Sequence, residues 1–196
     1  MASERFARHI TGIRNEEILK ATLKEFLLRG STMRIEDVTA SVGIGKGTLY
    51  RHFDSRIALL RAALAYGVRE LQGRALAARD AANGEADHGL TAVIVELAAM
   101  NAQGDPASPA SLCRLRLCER WPEPLAAECE PNGALGPLIA AWQADGLFDR
   151  GESQDWIAAL IICAVNSPQL ASHSDGELPA LAAHAVRLIR RAFGTL

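Results

Sequence analysis

The chain has 196 residues, of which 49% are hydrophobic, 5% aromatic and 22% charged, and its formal net charge is −2. That balance excludes a disordered chain and leans towards helix. No apolar run approaches the roughly 20 residues of a membrane span, and residues 1–9 lack the apolar centre of a secretion signal, so no membrane partner and a cytoplasmic location are expected.

Residues 1–61 contain eleven Lys and Arg against seven Asp and Glu, a net +4, while the remainder holds ten against sixteen, a net −6. A basic head on an acidic body is what a polyanion-binding module joined to a non-binding one would show, with chance scatter as the bland alternative. No proline precedes Pro106, so glycine alone interrupts the early helices. Over residues 14–29, Leu19, Thr22, Leu23, Phe26 and Leu27 recur at helical spacing. Thr11 or Asn15 could cap the start of that helix, and Gly30 its end. A short helix over 35–42 follows, with Glu36 and Asp37 in its first turn favouring the helix dipole and Gly43 stopping it. A second short helix over 46–52 comes next. Asp54 or Ser55 can then cap a long, leucine- and alanine-rich helix over 56–82, which ends at Asn83-Gly84.

Further helices are predicted at roughly 88–103, 108–121, 125–129, 135–145, 153–166 and 177–193, with prolines at or near their starts or between them. The pattern is all-α: an N-terminal three-helix domain over residues 1–61 and a larger helical domain over 62–196. Cys113, Cys118, Cys129 and Cys163 form no C-x-x-C pair and have no histidine at zinc-ligand spacing, so they read as free thiols, with a thiol sensor as the alternative. No metal site and no cofactor are expected.

Residues 35–53, IEDVTASVGIGKGTLYRHF, carry the function. Two short helices meet at a glycine, and Val38, Val42, Ile44 and Leu49 are spaced to pack inward, which are the parts of a helix-turn-helix. The second helix would enter the major groove. It offers Lys46, Gly47, Thr48, Tyr50, Arg51 and His52, rich in groups that donate to phosphates and base edges, and Gly47 permits close backbone approach.

Extended to residues 14–60, this segment resembles the DNA-binding domain of the TetR family of bacterial regulators. The matching residues are Ile18, Leu19, Phe26 and Gly30, then Asp37-Val38, Gly43-Ile44, Gly47-Thr48-Leu49-Tyr50, Phe53 and Leu59-Leu60. The resemblance implies that Lys46 and Gly47 face base edges while Thr48, Tyr50, Arg51, His52 and Arg56 hold phosphates, joined by Arg34. There are departures. Met33-Arg34 stands where the family usually has Thr or Ser at the start of the second helix, with Thr32 displaced. Gly45 replaces the common Ser before the recognition helix, and Arg56-Ile57 the usual Lys-Glu.

The resemblance also implies a ligand cavity in the second domain and a dimer formed by its last two helices. Residues 156–165, WIAALIICAV, are apolar nearly all round, and Leu178, Leu181, Ala182, Ala185, Leu188 and Ile189 form a stripe. A helix apolar on every side must be covered on every side, either within one subunit or by a second copy. The expected interface residues are Trp156, Leu160, Ile161, Ala164, Leu181, Ala185, Leu188 and Ile189. A homodimer would read a palindromic operator in double-stranded DNA. Leu97, Met100, Asn101, Cys113, Leu117, Trp121, Trp142 and Phe148 are the candidates for an unidentified, mainly apolar effector, although core packing accounts for most such residues. The expected function is a sequence-specific transcriptional regulator, a repressor released by that ligand. The rival is a constitutive DNA-binding or protein-interaction module without an effector. Enzymatic motifs are lacking, and His9, His52, His88, His173 and His184 are scattered, so no catalytic residues are expected.

Overall fold

The computed structural model describes residues 2–82, 86–116, 131–171 and 176–194, apart from the side chains of 2–14, 116, 131 and 171. Among them the chain is all-α, without strands. In order come α1 (Ala2–Arg29), a 3-10 turn (Gly30–Thr32), α2 (Ile35–Val42), α3 (Lys46–Tyr50) and α4 (Arg56–Ala81). They are followed by α5 (Ala86–Ala102), α6 (Pro109–Arg116), α7 (Pro131–Ala144), α8 (Gln154–Val165), α9 (Pro168–Ala171) and α10 (Leu178–Phe193). The helix expected over 125–129, and the end of that over 108–121, lie outside the described residues. No described helix is long and apolar enough to cross a membrane. Two compact units result: Met1–Gly67 with Arg114–Cys129, and Val68–Cys113 with Glu130–Leu196.

In the first unit α1 starts at Ala2 rather than at the Thr11 or Asn15 cap expected from sequence. Gly12 is the one helix-weakening glycine in that stretch, and at about 1 kcal/mol relative to alanine it does not stop a helix whose neighbours favour it. Ile18, Leu19, Leu23 and Phe26 turn inward, and the buried Thr22 hydroxyl donates to the Ile18 carbonyl at 2.7 Å, so its polarity is satisfied within α1. Gly30 ends the helix at φ +57°, the left-handed conformation its position predicts. Val38 of α2, Leu49 of α3 and Leu59 of α4 are fully buried. Val42 and Ile44, expected to join them, are only half-buried.

The second unit is built on α5, whose Leu90, Val93, Ile94, Leu97 and Met100 are buried and against which α8, α9 and α10 pack. Helix α7 pairs with α8. It begins at Pro131, four residues before its predicted start, and so carries Pro137 within it, where one backbone hydrogen bond is forgone. Trp142 of α7 meets Phe148 edge to face at 6.1 Å. Beneath them Gln143 organises the turn into α8. Its Nε2 donates to the carbonyls of Asp149 at 2.8 Å and Glu152 at 2.9 Å, and its Oε1 accepts from Gln154 at 3.0 Å. Helix α9, a single turn, was not predicted.

Candidate nucleic-acid interface

The candidate reading surface is assembled from the turn chemistry of residues 30–56. After the 3-10 turn, Thr32 donates its hydroxyl to the Arg29 carbonyl at 2.7 Å, so the threonine displaced from the start of α2 caps the end of α1 instead. The start of α2 is secured from inside the helix: Asp37 accepts the Arg34 backbone N–H at 2.8 Å. This is the reach-back half of a capping box; the other half, which a Ser or Thr side chain would make, is not formed by Arg34. Helix α2 ends at Gly43, φ +72°, and the Ile44 N–H closes the turn on the Thr39 carbonyl at 3.0 Å. Few side chains other than glycine adopt that φ, so the angle between the two short helices depends on this residue.

Helix α3 then begins at Gly45, which has no side chain to cap it, and ends at Tyr50, two residues short of the predicted span. The Phe53 N–H returns to the Leu49 carbonyl at 3.0 Å, and the Ser55 hydroxyl accepts the Ala58 N–H at 3.1 Å to open α4. Leu49 is the residue of α3 that is buried. Around it Lys46, Gly47, Tyr50, Arg51 and His52 are exposed and Thr48 half-exposed. Tyr50 is 47% exposed and so is not a core residue. A Cβ placed on Gly47 would meet nothing within 4 Å, so the protein itself does not require glycine there.

Four expected contact residues are engaged within the chain, Arg51 through its Nε, which donates to the Gly47 carbonyl at 3.4 Å. Arg56 is half-buried and its Nη2 donates to the Ser31 carbonyl at 2.9 Å, tying the start of α4 to the turn after α1. Lys46 makes a direct ion pair and hydrogen bond with Glu36 of α2, and Arg34 lies 3.9 Å from the same carboxylate oxygen. The hydrogen bond from Lys46 holds the Glu36 carboxyl below its usual range. From sequence Glu36 was legible only as a first-turn acid favouring the helix dipole. Its partnership with a residue ten positions on, across a turn, has no helical spacing to reveal it.

The candidate effector residues divide. Leu97, Met100, Trp142 and Phe148 are fully or almost fully buried. Asn101 is half-buried with its amide committed: Nδ2 donates to the Val165 carbonyl at 3.2 Å and to Asn166 Oδ1 at 2.9 Å, and Oδ1 accepts the Ala110 N–H at 2.9 Å. Cys113 is half-buried beside Asn166, whose Nδ2 lies 3.8 Å from its sulfur. Leu117 and Trp121 lie outside the described residues, as do Cys118 and Cys129. Cys163 is a free, exposed thiol.

Of the expected interface residues, Ile161, Ala185 and Ile189 are buried within their own unit. An apolar helix packed on α5 must seal one face there, and these lie on that face. Ala164 and Leu181 are half-buried. Trp156 is 69% exposed and Leu188 52%, with Leu160 also exposed, so α8 and α10, which pack side by side, each present large apolar groups outward.

A family model described as "Bacterial regulatory proteins, tetR family" matches residues 18–63, the stretch that contains α2 and α3. An HTH-type transcriptional regulator of Staphylococcus aureus (strain MRSA252) is 39% identical over 51 residues, a match covering 24% of this chain and 27% of that protein. At the level of fold, a TetR-family transcriptional regulator from Mesorhizobium loti is similar with a TM-score of 0.64 at 17% identity, covering 94% of this chain and 98% of that one. The regulator FadR of Bacillus subtilis, solved with stearoyl-CoA, gives 0.61 at 16% identity over 88% and 96% of the two chains. A cysteine-substituted CifR bound to 26-bp double-strand operator DNA gives 0.61 at 21% identity over 87% and 93%.

Proposed function

We propose, on the match of residues 18–63 to the model of the tetR family of bacterial regulatory proteins, that the chain is a cytoplasmic repressor that binds a palindromic operator as a homodimer and is released by a small, mainly apolar ligand. DNA binding is assigned to residues 1–61, effector binding and dimerisation to 62–196. The observation that carries the reading is α3 itself: one sealed leucine surrounded by Lys46, Gly47, Tyr50, Arg51 and His52, all exposed. Phosphate contacts by Arg34, Thr48, Tyr50, Arg51 and His52 would supply most of the affinity and its salt dependence, and Lys46 would read guanine. Arg56 acts on the fold as well, through Ser31.

Trp156, Leu160 and Leu188 support the dimer, since large exposed apolar groups on adjacent helices call for a cover and a self-complementary one suits a two-fold assembly. Two heads would place their recognition helices about one turn of DNA apart. A ligand that favours another spacing of the heads weakens binding by no more than its differential affinity, about 1–3 kcal/mol. A FadR neighbour holds stearoyl-CoA, so long-chain acyl thioesters are the first compounds to try here. Asn101 favours a second reading, a regulator without an effector at this place, because its amide is already committed to the Val165 carbonyl, the Asn166 side chain and the Ala110 N–H.

The test is fluorescence anisotropy of the purified chain against the duplex it selects from a random pool, over a salt series, beside Lys46→Ala and Tyr50→Ala. Tight binding to one palindrome, a steep salt slope and loss in both variants are expected. Equal weak binding to every duplex, unaffected by the substitutions, would reject the recognition-helix assignment.

A further inference from the structure

Glu36 places a carboxylate on the surface assigned to a polyanion. It lies between Lys46 and Arg34, two of the cations expected to touch DNA, bonded to the first and 3.9 Å from the second. Its place in the first turn of α2 suits the helix dipole, but the stability of the fold does not account for its pairing with Lys46. Both Lys46 and Glu36 are well exposed, with side chains 55% and 44% accessible, and exposed pairs contribute little. Moreover α2 and α3 are already fixed by Val38, Leu49 and the Gly43 turn. A pair that weakens attraction to phosphate while adding little to the fold points to a role in binding.

We infer that Glu36 is a specificity-determining residue, which restrains Lys46 from indiscriminate phosphate contacts and aims its ammonium at a base edge. The inference rests on the DNA-binding reading above. An ammonium has three N–H donors. One goes to Glu36, and the remaining two match the O6 and N7 acceptors that guanine presents in the major groove. A phosphate on arbitrary DNA competes for Lys46 against an anion already bonded to it, whereas a guanine can be read with the pair intact. The pair thus lowers affinity for the many wrong sequences more than for the right one, which is how a repulsive element improves selection.

The experiment compares the full chain with Glu36→Gln, Lys46→Ala and the double variant. Each is titrated against the duplex selected by the unsubstituted chain and against an arbitrary duplex of equal length. The amide keeps the shape of the acid and the site is exposed, so folding is preserved, and a matching thermal melt confirms this. For Glu36→Gln, affinity for the arbitrary duplex is expected to rise about tenfold near 0.1 M salt. Its salt slope should steepen by about one as Lys46 takes a phosphate, and affinity for the selected duplex should change by less than about threefold. In the Lys46→Ala background the same substitution should move arbitrary binding by less than about twofold. Discrimination that falls less than about threefold in Glu36→Gln, or an effect that persists without Lys46, overturns the inference. If the unsubstituted chain selects no sequence, the DNA-binding reading fails and the inference with it.

Discussion

Along α3 the polar side chains face outward around one sealed leucine, whereas in the second unit the informative polar groups face inward. Gln143 and Asn101 bind the carbonyls of turns and helix ends, and Ser108 bonds to the buried Ser111 at 3.1 Å. The buried polar groups of the second unit therefore stabilise the fold and have little left for a partner. Those of α3 contribute little to the fold and are open to one, with Lys46 held by a single exposed carboxylate. The contrast predicts that substitutions separate cleanly into those that move stability and those that move binding.

The largest effect should come where the two requirements meet. Leu49 is the inward anchor of α3 and is completely sealed. Leu49→Ala should lower unfolding free energy by about 2–5 kcal/mol in denaturant titration, as truncated core leucines do, and abolish operator binding with it. A loss of binding at unchanged stability would show that α3 is positioned by something other than this anchor, and the contrast between the units would fail.

Next in size is Gln143→Ala. Its amide serves two carbonyls and a second glutamine from a nearly buried position. Leaving those partners unsatisfied should cost about 1–3 kcal/mol of stability. Operator affinity per folded molecule should stay unchanged. Weakened binding at full occupancy of the native state would mean that this turn also serves recognition.

Where the chain was legible, local chemistry was decisive. The span of α2, the left-handed Gly30 and Gly43, and the Ser55 cap of α4 all follow from residues within a few positions of the feature. The misreadings share a different cause. In α8 every side is apolar, so periodicity could not tell that Ile161 would be sealed and Trp156 left outside. That depends on which face α5 takes. The Lys46–Glu36 pair joins two helices across a turn, and the start of α2, without a side-chain cap at Arg34, keeps the reach-back bond from Asp37. Each depends on three-dimensional neighbours rather than on a repeat. Candidate ligand residues were the least legible, because a buried Met100 or Trp142 looks the same in sequence whether it lines a cavity or fills a core.

The smallest change in stability should be the most discriminating. A Cβ on Gly47 meets nothing within 4 Å, and the residue lies in the first turn of α3. Alanine is the better helix former, so Gly47→Ala should leave the fold intact and raise its stability by about 0.5 kcal/mol, toward the low end of the helix-interior difference. If the backbone at this position lies against a base edge or phosphate, the added methyl has room in the free protein but not in the complex. Operator affinity should then fall at least tenfold while the melting temperature holds or rises. Opposite signs in the two measurements would separate the surface that binds from the core that folds at the level of one methyl group. Unchanged affinity would move the closest DNA contact elsewhere on α3, towards Lys46 or Arg51.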